Sequence, residues 1–489
     1  MSRLESLPVE MVDRIFSYLC HHCNNTYPEF PTSDLRRDNE ALFQLTRTSR
    51  TCRRVALRFL FHSFYRYEEV RYIFKMFNAH QDFAQCTRAL FLPFRSAFLD
   101  IPLVRSTAER LSVANIKACE YTLRYNHPSA EASLALTLCC NVKRLQITLD
   151  TLDRSRASFK STFHLFKRIA EQRGTPAVLQ SLEHLEVRTG FQPTDGIVAS
   201  GVPLFFELSP RLNVLILRGR DGFKPKCLEK VFFAENVRPA LESLFEIQMI
   251  GWDLTRRSTD SYVLEQFLTS TKRLRTFKYL SSVKNPDLVS DWELGLFHHE
   301  YPPQHLINIL LGVKPTLQHL TLDFGERGLT RDPSLDTHDI IIDCRQLKQF
   351  TNLETLEIDQ FCYCPHQLGG LNRGREKATY LADMLPITVR KLTISFPRYR
   401  GGHQCLDCIL HLGQRVVDRD FPLLEDIDIH ARAATPVYDP DRVVDAITLV
   451  DDGEQDSRIQ RIRIEKAFIG SGVVIKYRSW VKDKFEEYW

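Results

Sequence analysis

Three groups of thiol and imidazole side chains are where this sequence could do chemistry. Cys20, His21, His22 and Cys23 stand in one run, Cys362, Cys364 and His366 in a second, and His403, Cys405, Cys408 and His411 in a third. Thiolate sulfur and imidazole nitrogen are the donors that zinc takes in a structural site. The third group also has a plainer reading. Cys405, Cys408, Ile409 and Leu412 recur at helical spacing as one apolar stripe, and cysteine is among the most buried residue types. Structural zinc usually takes two separated ligand pairs on turns, and no pairing between the three groups is visible in the sequence. The expectation is that the cysteines are core residues, with no metal and no cofactor.

Other chemistry is sparse. No G-x-x-x-x-G-K-[ST] phosphate loop, G-x-S-x-G nucleophile turn, H-E-x-x-H zinc helix or EF-hand loop occurs. Gly369, Gly370 and Gly374 punctuate a loop, since no convincing strand precedes them as a phosphate cradle would need. The acidic residues are scattered through strand-like motifs and form no evident catalytic pair, so no catalytic residue is expected.

Composition narrows the class. The chain has 489 residues, 43% of them hydrophobic and 26% charged, which suits a soluble folded chain of about three domains or one elongated repeat array. No stretch approaches the roughly 18 apolar residues that a membrane helix needs. Arg3, Glu5, Glu10, Asp13 and Arg14 leave no apolar core for a signal peptide. Thirteen cysteines without a secretory context read as reduced thiols of the cytoplasm, the nucleus or both. A net charge of +4 is too small to suggest nucleic acid by itself. Its distribution says more, because residues 41–60 hold five arginines and no acid. An acidic protein partner fits that segment.

Two helices are expected at the N-terminus. From Leu7 to Leu19, Pro8 suits a first helical turn, where its missing N–H costs nothing, and Glu10 meets the exposed N–H groups there. Val9, Val12, Ile15, Phe16 and Leu19 then make one apolar face. In residues 41–65, Leu42, Leu45, Ser49, Cys52, Val55 and Ala56 fall on another. So few helices bury too little surface to fold robustly alone, which leaves apolar surface for a partner.

L-P-x-E followed by Ile15, Phe16 and Leu19, then the arginine-rich Leu42, Leu45, Val55, Ala56 block, resembles an F-box. The resemblance implies docking on the small acidic Skp-type adaptor of a cullin-RING ubiquitin ligase. The adaptor-binding residues it implies are Leu7, Pro8, Glu10, Val12, Ile15, Phe16, Leu19, Leu42, Leu45 and Val55, within an F-box spanning residues 1–66. A connecting helix over residues 67–85 follows, with Val70, Ile73, Phe74 and Phe77 at helical spacing. No linker rich in Pro, Gly or Ser separates the two, so the F-box should pack onto what comes next.

Beyond it the sequence repeats. SLEHLEV at Leu182, ALESLFEI at Leu241, NLETLEI at Leu353 and LLEDIDI at Leu424 share Leu-Glu ahead of a strand-like pattern. CTRALFLPF, NVKRLQI, RLNVLIL, RLRTFKY, TLQHLTL, TVRKLTI and RIQRIRI also read as strands. Helical stripes lie between them: Phe159, Phe163, Phe166 and Ala170; Leu228, Val231 and Phe232; Leu306, Ile309, Leu310 and Val313; and Val443, Val444 and Ile447. Strand, loop and helix in alternation resemble a degenerate leucine-rich repeat array over residues 86–468, with residues 469–489 as a C-terminal cap. The implied fold class is α/β: a small helical F-box, then a solenoid with a curved parallel sheet inside and helices outside. The whole resembles the F-box/leucine-rich proteins of filamentous fungi.

That resemblance implies a non-catalytic substrate receptor, bound to cullin through the adaptor and to an unknown protein substrate through the repeats, with neither nucleic acid nor membrane as partner. A leucine-rich interaction scaffold outside any ubiquitin ligase is the alternative. Alternate strand positions should line one sheet face. Among these, Asp323, Glu357, Asp359, Asp426 and Asp428 follow one another, and Arg461 and Arg463 close the row. Such a row of like charges is expected to attract a basic stretch of substrate.

Overall fold

The computed structural model describes residues 6–20, 22–23, 33–64, 70–94, 100–111, 129–149, 179–189, 204–223, 237–252, 258–281, 303–324, 342–363, 379–396, 403–432 and 461–480. The expected stripes at Phe159–Ala170, Leu228–Phe232 and Val443–Ile447 lie outside these residues, as do Gly369–Gly374 and the terminal Val481, Phe485 and Trp489. The chain forms two compact units, residues 1–244 and 245–489.

The first unit opens with three helices: α1 (Val9–Ser17), α2 (Ser33–Leu45) and α3 (Arg50–Leu60). Pro8 caps α1, and Glu10 lies in its first turn. The Ser49 hydroxyl accepts the Cys52 N–H at 3.2 Å and so starts α3. Val12, Phe16 and Cys20 meet Leu42 of α2 and Cys52, Val55, Ala56 and Phe59 of α3 in one apolar cluster, with Leu19 and Leu45 packed beside it. This core runs straight into the sheet. Phe61 stacks on Phe83 with ring centroids 3.9 Å apart, and the Thr87 hydroxyl donates to the Phe61 carbonyl at 3.2 Å. Ile73, Phe74 and Phe77 of the next helix, Val70–Ala79, are buried as their spacing requires.

Strands β1 (Ser63–Phe64), β2 (Ala89–Phe94), β3 (Arg144–Leu149), β4 (His184–Thr189) and β5 (Val214–Phe223) pair in that order, each parallel to the next. In the second unit β6 (Glu246–Trp252), β7 (Thr276–Ser281), β8 (His319–Asp323), β9 (Thr355–Asp359), β10 (Lys391–Phe396), β11 (Asp426–Arg432) and β12 (Val474–Trp480) do the same. The fold is α/β with parallel strands.

The repeat is written in the backbone. At nine rungs among the described residues one carbonyl accepts two successive N–H groups of the following rung. Lys143 O takes Glu183 N at 2.8 Å and His184 N at 3.0 Å, and Gln318 O takes Glu354 N at 2.8 Å and Thr355 N at 3.0 Å. His62, Arg88, Glu183, Phe245, Arg275, Glu354 and Arg390 repeat the arrangement. Alternation does the rest: Leu320, Leu322, Leu356, Ile358, Leu392, Ile394, Ile427 and Ile429 all point to the buried side. Helices Ser258–Thr269, Pro303–Leu310 and His403–Val417 bury their own stripes, such as Val263, Leu264 and Phe267, or Ile409 and Leu412.

Every expected strand forms but one. R-I-Q-R-I-R-I alternates with a period of two, yet residues 461–467 are helical. Ile464 and Phe468, four apart, are both buried, and Arg461 pairs with Glu465 at 2.9 Å across one turn. Gly470 and Gly472 then take positive φ, 85° and 79°, and turn the chain into β12. The segment expected to cap the array therefore carries a strand. One Leu-Glu motif is also displaced. Leu241 and Glu242 lie in the helix Arg238–Ser243, and Leu244-Phe245 stands where Leu182-Glu183 stands in its rung.

Gly413 marks where helix His403–Val417 meets residues 461–467. A Cβ there would lie 2.9 Å from the Ala467 Cβ and 3.0 Å from its carbonyl oxygen. Alanine in a helix normally gains up to about 1 kcal/mol over glycine, whereas overpacking against backbone costs about 1–3 kcal/mol. Gly413→Ala is therefore expected to lower the melting temperature by calorimetry. An unchanged or raised value would show that the contact is loose.

Candidate functional site

Helix α1 is apolar on two sides, and the core uses only one. Val12 and Phe16 are 1% and 0% exposed, whereas Leu7, Met11, Ile15 and Tyr18 are 37%, 48%, 39% and 63% exposed. Met11, Ile15 and Tyr18 are spaced four and three apart, one stripe along α1 and its C-cap, and Leu7 lies ahead of the N-cap. Val9 is exposed as well. The expected adaptor-binding set thus divides. Leu7, Pro8, Glu10 and Ile15 are at the surface, Val12, Phe16, Leu42 and Val55 are interior, and Leu19 and Leu45 are half-buried against the core. The single apolar face read from the sequence merged two faces. Its interior members build the helical unit and are in no position to touch a partner.

Arginines line α3 and the turn before it. Arg47, Arg50, Arg53, Arg54 and Arg58 are all exposed. Arg47 lies over the Phe43 ring, 4.7 Å from its centroid, and Arg58 reaches Asp13 of α1 at 3.7 Å. Exposed apolar stripe and exposed guanidinium groups belong to the same small three-helix unit.

The acidic row of the second unit falls on one sheet face, as strand alternation requires, but it is not a solvated row. Pairing sets Thr321 beside Glu357, Glu357 beside Thr393 and Thr393 beside Asp428. Asp428 and Asp359 are buried, and Asp323 nearly so. The Asp359 carboxylate accepts the Phe324 N–H and, at 3.4 Å, the Cys362 thiol. Asp428 lies 3.3 Å from His430. Asp426 is half-buried and bridged to Lys476 of β12 at 2.9 Å. Arg461 and Arg463, on the helical turn before β12, do not close the row. Glu357 and Asp426 are the members that keep appreciable exposure.

Burial first, and then the neighbouring Asp323 carboxylate, push the Glu357 carboxyl above its usual range, against the pull of His430, Thr321 and Lys278. Ionised Glu357 therefore costs stability at neutral pH. A raised folded pKa contributes stability below the unfolded carboxylate range and loses it as pH rises through the folded value. Glu357→Gln should raise the melting temperature at pH 7 and lose that advantage in acid. A lower melting temperature at pH 7 would mean that the carboxylate is a needed acceptor.

On the first unit's sheet face the acid is paired with two arginines. Glu186 is buried between Arg188 at 2.7 Å and Arg218 at 3.1 Å, and Arg188 also lies over the Phe91 ring at 5.8 Å. Beside it His184 is pushed down to about 3 by burial and then by Arg144, so its imidazole is neutral.

The thiol groups separate in the same way. Cys408, on its expected stripe, and Cys362 are core residues, with burial pushing the first thiol up to about 11 and the second well above its usual value. Side chains of His403 and Cys405 lie outside the described residues, as do Cys364, His366 and His21. Cys20, His22 and Cys23 are joined by a residue distant in sequence, His62, with ligand atoms all within 4.8 Å of one another.

Among the described residues no helix is long and apolar enough to cross a membrane. A scan against protein-family models finds no match for this chain, and a search of curated proteins finds none either.

Proposed function

We propose that this chain is the substrate-recognition subunit of a cullin-RING ubiquitin ligase, held to a Skp-type adaptor by its N-terminal helices. The observation that carries the reading is the stripe Met11, Ile15 and Tyr18, exposed on a helix whose other face already fills a core, with exposed Leu7 just ahead of it. Apolar anchors of this size supply most of the energy of an interface. The exposed arginines of α3 and its approach suit an acidic partner and would steer its encounter. Phe61–Phe83 stacking and β1 fix the helical unit to the first rungs, so a bound adaptor would sit at a defined place beside the first unit's strands.

On this reading the chain contributes no catalytic group. It holds a substrate near an enzyme recruited elsewhere in the complex, and proximity supplies the rate. Recognition on the second unit's sheet face narrows to Glu357 and Asp426, because the remaining acids are internal. Affinity purification of the full chain from cells, scored for adaptor and cullin, tests the reading. Recovery of both supports it, whereas recovery of neither from a folded, well-expressed chain favours a scaffold outside any ligase.

A further inference from the structure

Four side chains converge where α1 ends and the sheet begins; Cys20 also borders the apolar cluster, and the docking stripe uses none of them. Cys20, His22 and Cys23 follow α1 directly, and His62 lies between α3 and β1. The separations are Cys23 Sγ to His62 Nδ1 3.5 Å, Cys20 Sγ to His62 Nδ1 3.6 Å and Cys23 Sγ to His22 Nδ1 3.8 Å. Tetrahedral zinc, with sulfur at about 2.3 Å and nitrogen at about 2.0–2.1 Å, spaces its ligand atoms roughly 3.3–3.8 Å apart. The three distances fit that edge length.

Hydrogen bonding alone accounts poorly for the cluster. Two sulfurs approach the same His62 nitrogen, which has one proton or one lone pair to offer. A cation at the centre serves all four groups at once.

The ligands are held independently of any ion. Cys23 N donates to the Cys20 carbonyl at 2.9 Å, so the two cysteines bracket a tight turn. The His62 carbonyl accepts Arg88 N at 2.8 Å and Ala89 N at 2.9 Å, which makes this histidine the first rung of the sheet. The Phe59 ring packs on its imidazole at 5.1 Å. Cys20 is buried and Cys23 exposed, which leaves a path of entry. Cys20-x-x-Cys23 could also be a redox pair, but such pairs are activated at helix N-termini. This one follows the C-terminal end of α1 instead, and two imidazoles stand within 3.5–3.8 Å of its sulfurs.

We propose that Cys20, His22, Cys23 and His62 form a closed, structural zinc site. Four protein ligands leave no open position for chemistry. Binding would displace both thiol protons to solvent and tie the exit of α1 to the exit of α3 across 39 residues of chain. The proposal does not depend on the adaptor reading.

The test uses the full chain, purified through a tag without histidine. Elemental analysis should find stoichiometric zinc, and the metal-stripped chain should take up cobalt(II) with sulfur-to-metal charge-transfer and tetrahedral d–d absorption. Cys23→Ser and His62→Gln should each lose zinc, while Cys408→Ser keeps it. Because Cys23 is exposed, its variant tests the site even where a change at buried Cys20 prevents folding. Chelator should lower the melting temperature of the wild-type chain. Absence of zinc, with Cys20 and Cys23 free or joined as a disulfide by mass, would overturn the proposal. So would zinc retained after both Cys23→Ser and His62→Gln, or a melting temperature that chelator leaves unchanged.

Discussion

Glutamine in place of Glu186 is expected to destabilise the chain by about 3–5 kcal/mol, the cost of breaking a buried ion pair from one side. Two guanidinium groups close on this carboxylate, and both are mostly buried, with side chains 14% and 10% exposed. Removing the negative charge takes away the counter-charge that both share. Burial alone would raise the Glu186 carboxyl, but Arg188 and Arg218, with help from Arg144, outweigh it and hold the group below its usual range. A depressed folded pKa means stability present above the unfolded carboxylate range and lost as pH falls through the folded value. His184 adds to the same acid sensitivity. It is neutral when folded, so protonation of the unfolded imidazole draws stability away as pH falls from about 6.5 towards about 3. Denaturant titration across pH checks both. Glu186→Gln as stable as the wild type at pH 7 would mean that the arginines find other acceptors.

Phe16→Ala should cost about 3–5 kcal/mol, as for a large aromatic side chain in a closed core. Phe16 is fully buried among Val12, Leu42, Val55, Ala56 and Phe59. Its neighbour Ile15 is 39% exposed, so Ile15→Asp should change stability by no more than about 0.5 kcal/mol. The pair separates folding from docking within two adjacent positions. Equal destabilisation by both would place Ile15 in the core. Replacing Leu19 is a poorer probe of docking, because that side chain packs against the core.

Much of the fold was legible because period and burial agree. Strands such as Thr355–Asp359 and Lys391–Phe396 alternate cleanly, and their apolar positions are the buried ones. The pattern failed where a short alternation competed with a longer period. Ile462 and Ile464 alternate with arginine, but Ile464 and Phe468 set a helical contact, and Ile462 is left 44% exposed. Which side of α1 faces inward was not legible either. Val9, Val12, Ile15, Phe16 and Leu19 fit one arc of a helical wheel, and only the position of α3 decides that Ile15 points away.

The chemistry of the sites was less legible still. Acid residues at alternate strand positions share a face, as expected, yet sequence does not say that the face is largely buried. Asp359 accepts a backbone N–H and a thiol there instead of meeting solvent. The Cys20–Cys23 run lacked a second ligand pair in its own neighbourhood. His62 supplies the missing donor only because the sheet's first rung brings it back beside the end of α1.

Docking on the adaptor is tested most directly by titrating the purified full chain with a purified Skp-type adaptor in a calorimeter. A saturable one-to-one complex is expected. Met11→Glu with Ile15→Glu should weaken it by roughly 100-fold or more, the size expected when central apolar anchors are lost, at an unchanged melting temperature. No binding by the folded wild-type chain, or undiminished binding by that variant, would contradict it.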